Sequence, residues 1–477
     1  MAISPLQMQA KNYAERIGVF VHEHPTTVKV LRVAGLIAGV GLMIASPFTL
    51  LLGLAVAMGI TGGLLTLASA IAFYALDLLA PPHHDMATHV YKEGVYAGGR
   101  LFYENDVPIL SLDADDPFQA GKAHGYLCGE GISRVTSRFD LVLHRYARQP
   151  RAKKLPRTLA EVRNTIKPEH VQEMEGLAVG YNQWASEQKL KWHRPLTVDD
   201  VILFHLMPDS LHFRPASVEA GRLVPVREVP VVACTTIVHR NERRELVVAR
   251  NMDWPSLGVA GAYSVIINRK HANGLRSTVE VAVPGMVGTC TGMNDQGLAL
   301  AMNVCSGQTD VIGGMPAALY NRDCLERCGS VEEVEQLTQE RSPLGPYHLT
   351  LADQNGAKSI HFYQSPAGTH VVRQWEEHCP LTTLNFKYTP HPEGSVHHDP
   401  ARLAELNQFF AQRGGRPLEE ALAGPCVNNW ISTHRVKMVP QTREFGVAFD
   451  NAFAGRVPLH AVPAQRLFIP DDVRPAD

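Results

Sequence analysis

Cys234, Arg250 and Asp253 are the residues whose types and spacing point to covalent chemistry. The thiolate is the nucleophilic form of a cysteine, a nearby guanidinium favours it, and a carboxylate can orient a proton-carrying partner. Cys234 lies among small and β-branched residues, Val232-Ala233-Cys234-Thr235-Thr236. Two apolar, β-branched runs, VPVVACTTIVHR and RELVVARNMDW, flank Asn241-Glu242-Arg243-Arg244 and predict a hairpin. A hairpin returns its second strand beside its first, so the three side chains can meet at one end of a sheet. From spacing alone, a small buried cysteine beside a structural ion pair fits the same residues. Trp254 follows Asp253 at the mouth of this arrangement and is a candidate for contact with substrate or for plain aromatic packing.

The elements that would position this trio follow from the surrounding pattern. Alternation from Val90 to Leu112 predicts short strands. Residues 118–209 read mostly as helix: Pro168 suits a first helical turn, Val171, Met174 and Leu177 recur at helical spacing, and Thr197 to Asp200 resembles a capping box. Beyond the hairpin, strands are expected at Ala262–Asn268, Ser277–Val283, Leu298–Val304 and His348–Ala352, with one helix over roughly Ala317–Thr338. The class expected is α+β with an antiparallel sheet.

The N-terminal part is different in kind. No Asp, Glu, Lys or Arg occurs between Arg32 and Asp77, a stretch about twice the roughly 20 apolar residues one helix needs to cross a bilayer. Ser46-Pro47 and Thr61-Gly62-Gly63 offer places to end and restart helices, so residues 29–80 are expected to form a transmembrane hairpin after an arm over 1–28. Lys11, Arg16, Lys29 and Arg32 precede it, which directs the N-terminus to the cytoplasm; two spans then return the catalytic part to that side. Membrane attachment is thus assigned to residues 33–76, and residues 81–117 read as a linker with the first strands.

Composition narrows the rest. The 477 residues carry a formal charge of -2 and are 45% apolar and 19% charged, which gives no electrostatic case for a nucleic-acid partner. Eight cysteines are too sparse for a disulfide framework. The histidines at 83–84 and 391–398 match no standard zinc spacing, and Cys324 with Cys328 lacks further ligands, so neither a metal nor a cofactor is expected.

Several ordered motifs agree on one family. CTTIV followed by ARNMDW resembles the signature of the choloylglycine hydrolase, acid ceramidase and penicillin acyltransferase group of N-terminal-nucleophile hydrolases. Gly292-Met293-Asn294 to Leu298 with Asn303, then Thr382-Thr383-Leu384-Asn385-Phe386, then Asp399-Pro400-Ala401-Arg402 resemble its later segments, although Leu384 separates Asn385 from the threonines. His170 to Leu177 and Leu196 to Asp200 resemble its helical prosegment. The likeness runs from about residue 118 to 465.

The resemblance implies a four-layer αββα sandwich made as a proenzyme, with a prosegment over 118–233 and a catalytic part over 234–477. Cleavage between Ala233 and Cys234 would make Cys234 both nucleophile and, through its α-amine, base. Asp253 would hold that amine, Arg250 would stabilise the sulfur, Asn385 with Asn303 would donate to the oxyanion, and Arg402 would complete the polar network. The implied substrate is a linear, non-peptide amide, an amphiphile such as an N-acyl lipid met at the bilayer surface. Acyl transfer to an amine, and an uncleaved membrane-tethered scaffold on the same fold, are the alternatives.

Overall fold

The computed structural model describes residue 86 and residues 88–137, 155–190, 195–210, 217–219, 222–224, 234–254, 256, 259–305, 314–341, 343–362, 370–376, 380–385, 400–428, 431–450 and 454–468. The apolar hairpin expected at 29–80, the histidines at 83–84 and 391–398, and Ala233, Phe386 and Asp399 lie outside them. Among the described residues no helix is long and apolar enough to cross a membrane.

Alternating apolar residues build two sheets. Ten strands form the larger: β1 (Gly94–Tyr96), β2 (Gly99–Glu104), β3 (Val107–Asp113), then, in spatial order, β8 (Val265–Lys270), β9 (Thr278–Ala282), β10 (Thr291–Asn294), β11 (Ala299–Val304), β12 (Tyr347–Ala352), β13 (Ala357–Phe362) and β14 (His370–Gln374). Six form the smaller, in the order β15 (Leu381–Thr383), β6 (Thr235–Arg240), β7 (Leu246–Asp253), β16 (Ser432–Val439), β17 (Glu444–Phe449) and β18 (His460–Val462). A two-stranded ribbon, β4 (Ser217–Glu219) and β5 (Arg222–Val224), precedes Cys234. Pairing among these strands is antiparallel except that β3 runs parallel to β8. The early strands therefore extend the main sheet, where the sequence had suggested only a linker with strands.

The sheets face each other. Val107, Ile109, Ile266, Val279, Val281 and Met293 of the larger interlock with Val238, Leu246, Val248, Val436, Met438 and Phe445 of the smaller. Burying each such side chain contributes about 1.5–3 kcal/mol before chain entropy is set against it. The longer helices are α1 (Pro117–Leu127), α2 (Leu155–Arg163), α3 (Pro168–Glu187), α4 (Val198–His205), α5 (Ala317–Arg327), α6 (Val331–Glu340) and α7 (Pro400–Ala411). α1 packs on β1, β2 and β3, and α5 on β10 and β11. On the smaller sheet, Ile237 and Ala249 meet Leu406 of α7 and Leu418, Ala421 and Leu422 of a short 3-10 turn. The molecule is a mixed α/β protein.

The local signals explain several boundaries. Pro168 opens α3, and Thr197 caps α4 by accepting from Asp200 N–H while the Asp200 carboxylate accepts from Thr197 N–H, a reciprocal box. The helix expected over 317–338 is two helices: α5 ends at Arg327, and Ser330 accepts from Glu333 N–H to start α6. α1 and α3 approach so closely that glycines line the contact. A β-carbon at Gly121 would lie 1.9 Å from Glu173 O, and one at Gly176 would lie 2.0 Å from Phe118 O.

Candidate active site

The hairpin forms as its pattern requires and brings Arg250 to Cys234. Thr235 faces Asn251 and Thr236 faces Arg250 across β6 and β7, so Cys234 stands at the strand entrance beside the end of β7. Cys234 is 2% exposed. One guanidinium nitrogen of Arg250, Nη2, lies 3.6 Å from its Sγ and also donates to Met302 O. The other, Nη1, donates to Cys290 O at 2.8 Å and to Thr291 Oγ1. Arg250 is thus bonded on both arms and offers its charge to the sulfur from a fixed position. At that range a guanidinium stabilises negative charge developing on sulfur, all the more in a site closed to water.

Two residues distant in sequence close on the Cys234 peptide. Its N–H donates to Asn385 Oδ1 at 2.6 Å, and its carbonyl accepts from Arg402 Nη1 at 3.1 Å. Arg402 Nη1 also lies 3.4 Å from Asn385 Oδ1. Leu384, the insertion that displaced the Asn385 alignment, is buried against the outer face of the smaller sheet. The extra residue therefore leaves Asn385 on Cys234. Its Nδ2, the group an oxyanion would need, donates to Val304 O at 2.7 Å.

Asn303 is placed differently from Arg250, Asn385 and Arg402, which bond to Cys234. Its Oδ1 accepts from Thr236 Oγ1 at 2.7 Å and its Nδ2 donates to Thr383 O at 3.0 Å. The Asn303 amide joins the two sheets beneath the cysteine. Asp253 is fully buried and accepts from Ser432 Oγ. Trp254 is 9% exposed, donates its backbone N–H to Ile431 O at 2.8 Å and stacks on Phe204 with ring centroids 6.0 Å apart.

Other members of the site escaped sequence reasoning. Thr236 was within reach of it, because two residues along a strand share a face. Ser432 and His434 come from β16 on the far side of β7, where His434 faces Met252. Burial first, then the Arg250 charge, hold the His434 imidazole well below its ordinary range, and neither ring nitrogen has a hydrogen-bond partner among the described residues. Cys290 is a second buried thiol near Arg250, pushed up to about 12 by burial. It is held un-ionised while its carbonyl serves Arg250. Asn294, in the GMN motif, uses its whole amide on structure: Nδ2 donates to Leu325 O and Cys328 O, and Oδ1 accepts from Gln296 and Leu298 N–H. Among the described residues no cluster of His, Cys, Asp and Glu could hold a metal ion.

None of the curated proteins matches the chain. Among solved structures, it is similar to an N-acylethanolamine-hydrolyzing acid amidase ortholog from Caenorhabditis elegans, with 18% identity, coverage of 43% of this chain and 93% of that one, and a TM-score of 0.35. It is also similar to a mutant conjugated bile acid hydrolase from Clostridium perfringens, with 14% identity, coverage of 48% and 92%, and a TM-score of 0.34. Residues 239–382 match the family described as acyl-coenzyme A:6-aminopenicillanic acid acyl-transferase. With that match over residues 239–382, the resemblance of the motifs to the choloylglycine hydrolase, acid ceramidase and penicillin acyltransferase group of N-terminal-nucleophile hydrolases stands.

Proposed function

We propose that this chain is a self-processing cysteine amidohydrolase on a four-layer αββα sandwich, with Cys234 as nucleophile after scission of the Ala233–Cys234 bond. The observation that carries the reading is the convergence of Arg250 on Cys234 Sγ, with Asn385 and Arg402 on the same residue's peptide nitrogen and carbonyl. Scission turns that nitrogen into an α-amine, whose pKa of about 7.7–8.0 suits a general base near neutrality. Asn385 Oδ1 is already in place to orient it, and Asp253 at the end of β7 supplies the anion to hold its charged form.

The reaction then divides into two half-reactions. The amine takes the thiol proton, sulfur attacks the amide carbonyl, and the tetrahedral oxyanion collapses to a thioester as the leaving amine accepts the proton. Asn385 Nδ2 serves the oxyanion by exchanging Val304 O for the substrate oxygen, and Asn303 holds the sheets that carry both strands. Water then attacks the thioester and releases the acid. Loss of one oxyanion donor costs about 10²–10³ in rate. Acyl transfer shares the first half-reaction, and the family name over residues 239–382 favours keeping it as a second reading, with an amine in place of water.

The substrate proposed is a linear amide with a lipid or other bulky acyl part. The Phe204–Trp254 stack offers an aromatic wall beside the site, and the apolar segment 33–76 would tether a cytoplasmic catalytic part to the bilayer. Intact mass and N-terminal sequencing of wild type beside Cys234→Ala test the core of the proposal. Two fragments, the second beginning Cys-Thr-Thr-Ile-Val, and an intact mutant are expected. A wild-type chain that stays whole from mildly acidic to neutral pH would sink the mature-enzyme reading.

A further inference from the structure

Arg250 is seated by a segment that has little internal means of holding its shape. Between β9 and β10, residues 283–290 contain two glycines, with Gly285 at φ +94°. The segment makes one internal turn bond, Met286 N–H to Val283 O at 3.0 Å. Its other bonds go to surrounding elements, and several come from the part of the chain that precedes Cys234. Gly285 N–H donates to His124 Nε2 of α1 at 3.1 Å. Val287 and Gly288 N–H both donate to His205 Nε2 of α4, at 2.7 and 3.1 Å. Val287 O accepts from Arg269 Nη2 at 3.0 Å and Arg322 Nη1 at 3.2 Å, and these two guanidiniums share the carboxylate of Glu173 from α3. Thr289 is tied to α5 through Ala318 O and Asn321. Cys290 O and Thr291 Oγ1 then receive Arg250.

We propose that His124, Glu173 and His205 are positioning residues for the Cys234 site, setting the 283–290 segment in the conformation that seats Arg250 beside the sulfur. The inference rests on the proposed role of Cys234. It assigns the helices before Cys234 a part in the working site beyond being the piece released at its N-terminus.

His205 carries the argument furthest because its tautomer is fixed from both sides. Nδ1 lies 2.7 Å from Val201 O, which can only accept, so Nδ1 bears the hydrogen. Nε2 therefore presents a lone pair to two consecutive N–H groups. A protonated ring would set an N–H against both. The groups facing it are Glu173, His170 and Arg322, and those around His124 are Arg269, Glu173, His205 and Arg322. Burial first, with the nearby positive charges, lowers His205 to about 4 and His124 to about 3, so both accept throughout the range in which Cys234 would work.

The test compares wild type with His205→Leu and His205→Gln in the full chain. Leu cannot accept a hydrogen bond, whereas the Gln carbonyl can meet the same N–H groups. The readouts are the alkylation rate at Cys234, located by mass spectrometry, its pH profile, and the rate of self-cleavage. Displacing a positioned group by about an ångström costs on the order of 10²-fold. His205→Leu is expected to lose on that order in both rates at an unfolding temperature that keeps it folded at 25 °C. His205→Gln is expected to recover most of the loss and to lack the acid limb that wild type shows as pH falls through about 4.

A folded His205→Leu with wild-type alkylation and cleavage rates would overturn the inference. So would a structure of that variant with Arg250 Nη2 still about 3.6 Å from Cys234 Sγ. If His205→Leu proves unstable, His205→Gln decides through its pH profile, an unshifted acid limb counting against the proposal. A wild-type chain that is alkylated at Cys234 but never cleaved removes the self-processing reading. The alkylation comparison still decides the positioning role.

Discussion

Replacing Glu173 with glutamine tests whether the helices before Cys234 are bound to the larger sheet by charge. Both Glu173 oxygens are engaged, Oε1 by Arg269 Nη1 and Oε2 by Arg322 Nη1, with side-chain exposures of 1%, 0% and 4%. Burial alone would push this carboxyl up; the two guanidiniums together outweigh it and hold it at about 2, against 4.5 unperturbed. Glutamine keeps the shape and mimics the protonated acid, so the lowered carboxyl is worth roughly 3 kcal/mol. That sits at the lower end of the range for breaking a buried ion pair, about 3–5 kcal/mol. Arg269 retains Glu280 and Arg322 retains Glu326, so neither guanidinium is orphaned. The folded pKa lies below the unfolded one, so the stabilisation is complete above pH 4.5 and is lost as pH falls towards 2. Urea unfolding followed by tryptophan fluorescence should show Glu173→Gln less stable by about 3 kcal/mol at pH 7 and by about 2 kcal/mol at pH 3.5. Equal gaps at the two pH values, or no gap at pH 7, would refute the electrostatic account.

Two further outcomes follow from burial. Acid should destabilise the fold through His124 and His205: each stays neutral when folded while the unfolded chain protonates near 6.5, a loss of about 2 kcal/mol apiece by pH 5. Asp209, raised to about 7 by burial, works the other way, binding its proton first in the folded state and returning about 2 kcal/mol between pH 7 and 5. Asp209→Asn should therefore steepen the fall in unfolding temperature over that interval, and a curve parallel to wild type would contradict the assignment. Gly176→Ala would place a β-carbon 2.0 Å from Phe118 O, a backbone atom that cannot turn aside. The helices must separate, and overpacking of this kind costs about 1–3 kcal/mol, measurable as a lower urea midpoint at unchanged slope.

How much of this was legible before the structure depended on how local each signal is. The Cys234 hairpin was legible because β-branched runs around Asn241-Glu242-Arg243-Arg244 specify strand and turn within twenty residues, and the turn closes with Asn241 N–H on Glu245 O at 2.9 Å. The break between α5 and α6 was also written locally, as Ser330 three residues before Glu333, and was overlooked beneath the apolar periodicity on either side. Gly121 with Gly125 and Gly176 with Gly180 form small-residue pairs at helical spacing, a signal of close helix contact that was present but not used. Nothing local announces that Glu173 will meet Arg269 and Arg322, or that Ser432 will hold Asp253. Those choices belong to the packing of distant elements, and a single chain of letters does not carry the partner's position. Motif likeness named Asn385, Arg402 and Asn303, the last as an oxyanion donor through its side chain or backbone; the structure bonds Asn385 and Arg402 to the Cys234 peptide and the Asn303 amide to Thr236 and Thr383.

The placement of the site follows from a change of character along the space between the sheets. On β6 the inward positions run from Val238 to Thr236 and end at Cys234; on β7 they run from Leu246 and Val248 to Arg250. On β11 Ala299 and Ala301 give way to Asn303, on β12 Ala352 gives way to Thr350 and His348, and on β15 Leu381 gives way to Thr383. Each strand turns polar towards the same end. The hydroxyls there bond one another across the gap, Thr350 to Thr383 and Thr383 to Ser359, each at 3.0 Å. Such a belt is tolerable in a dry interior only because its members are partnered, since an unpaired buried polar group costs about 1–3 kcal/mol. A charge could not be placed there alone; Arg250 is admitted because Cys290, Thr291 and Met302 receive it. The same closure that makes the belt costly to build also makes a guanidinium at 3.6 Å from sulfur count for more than it would in water. Core and site are therefore one construction, apolar where the sheets adhere and hydrogen-bonded where Arg250 meets Cys234.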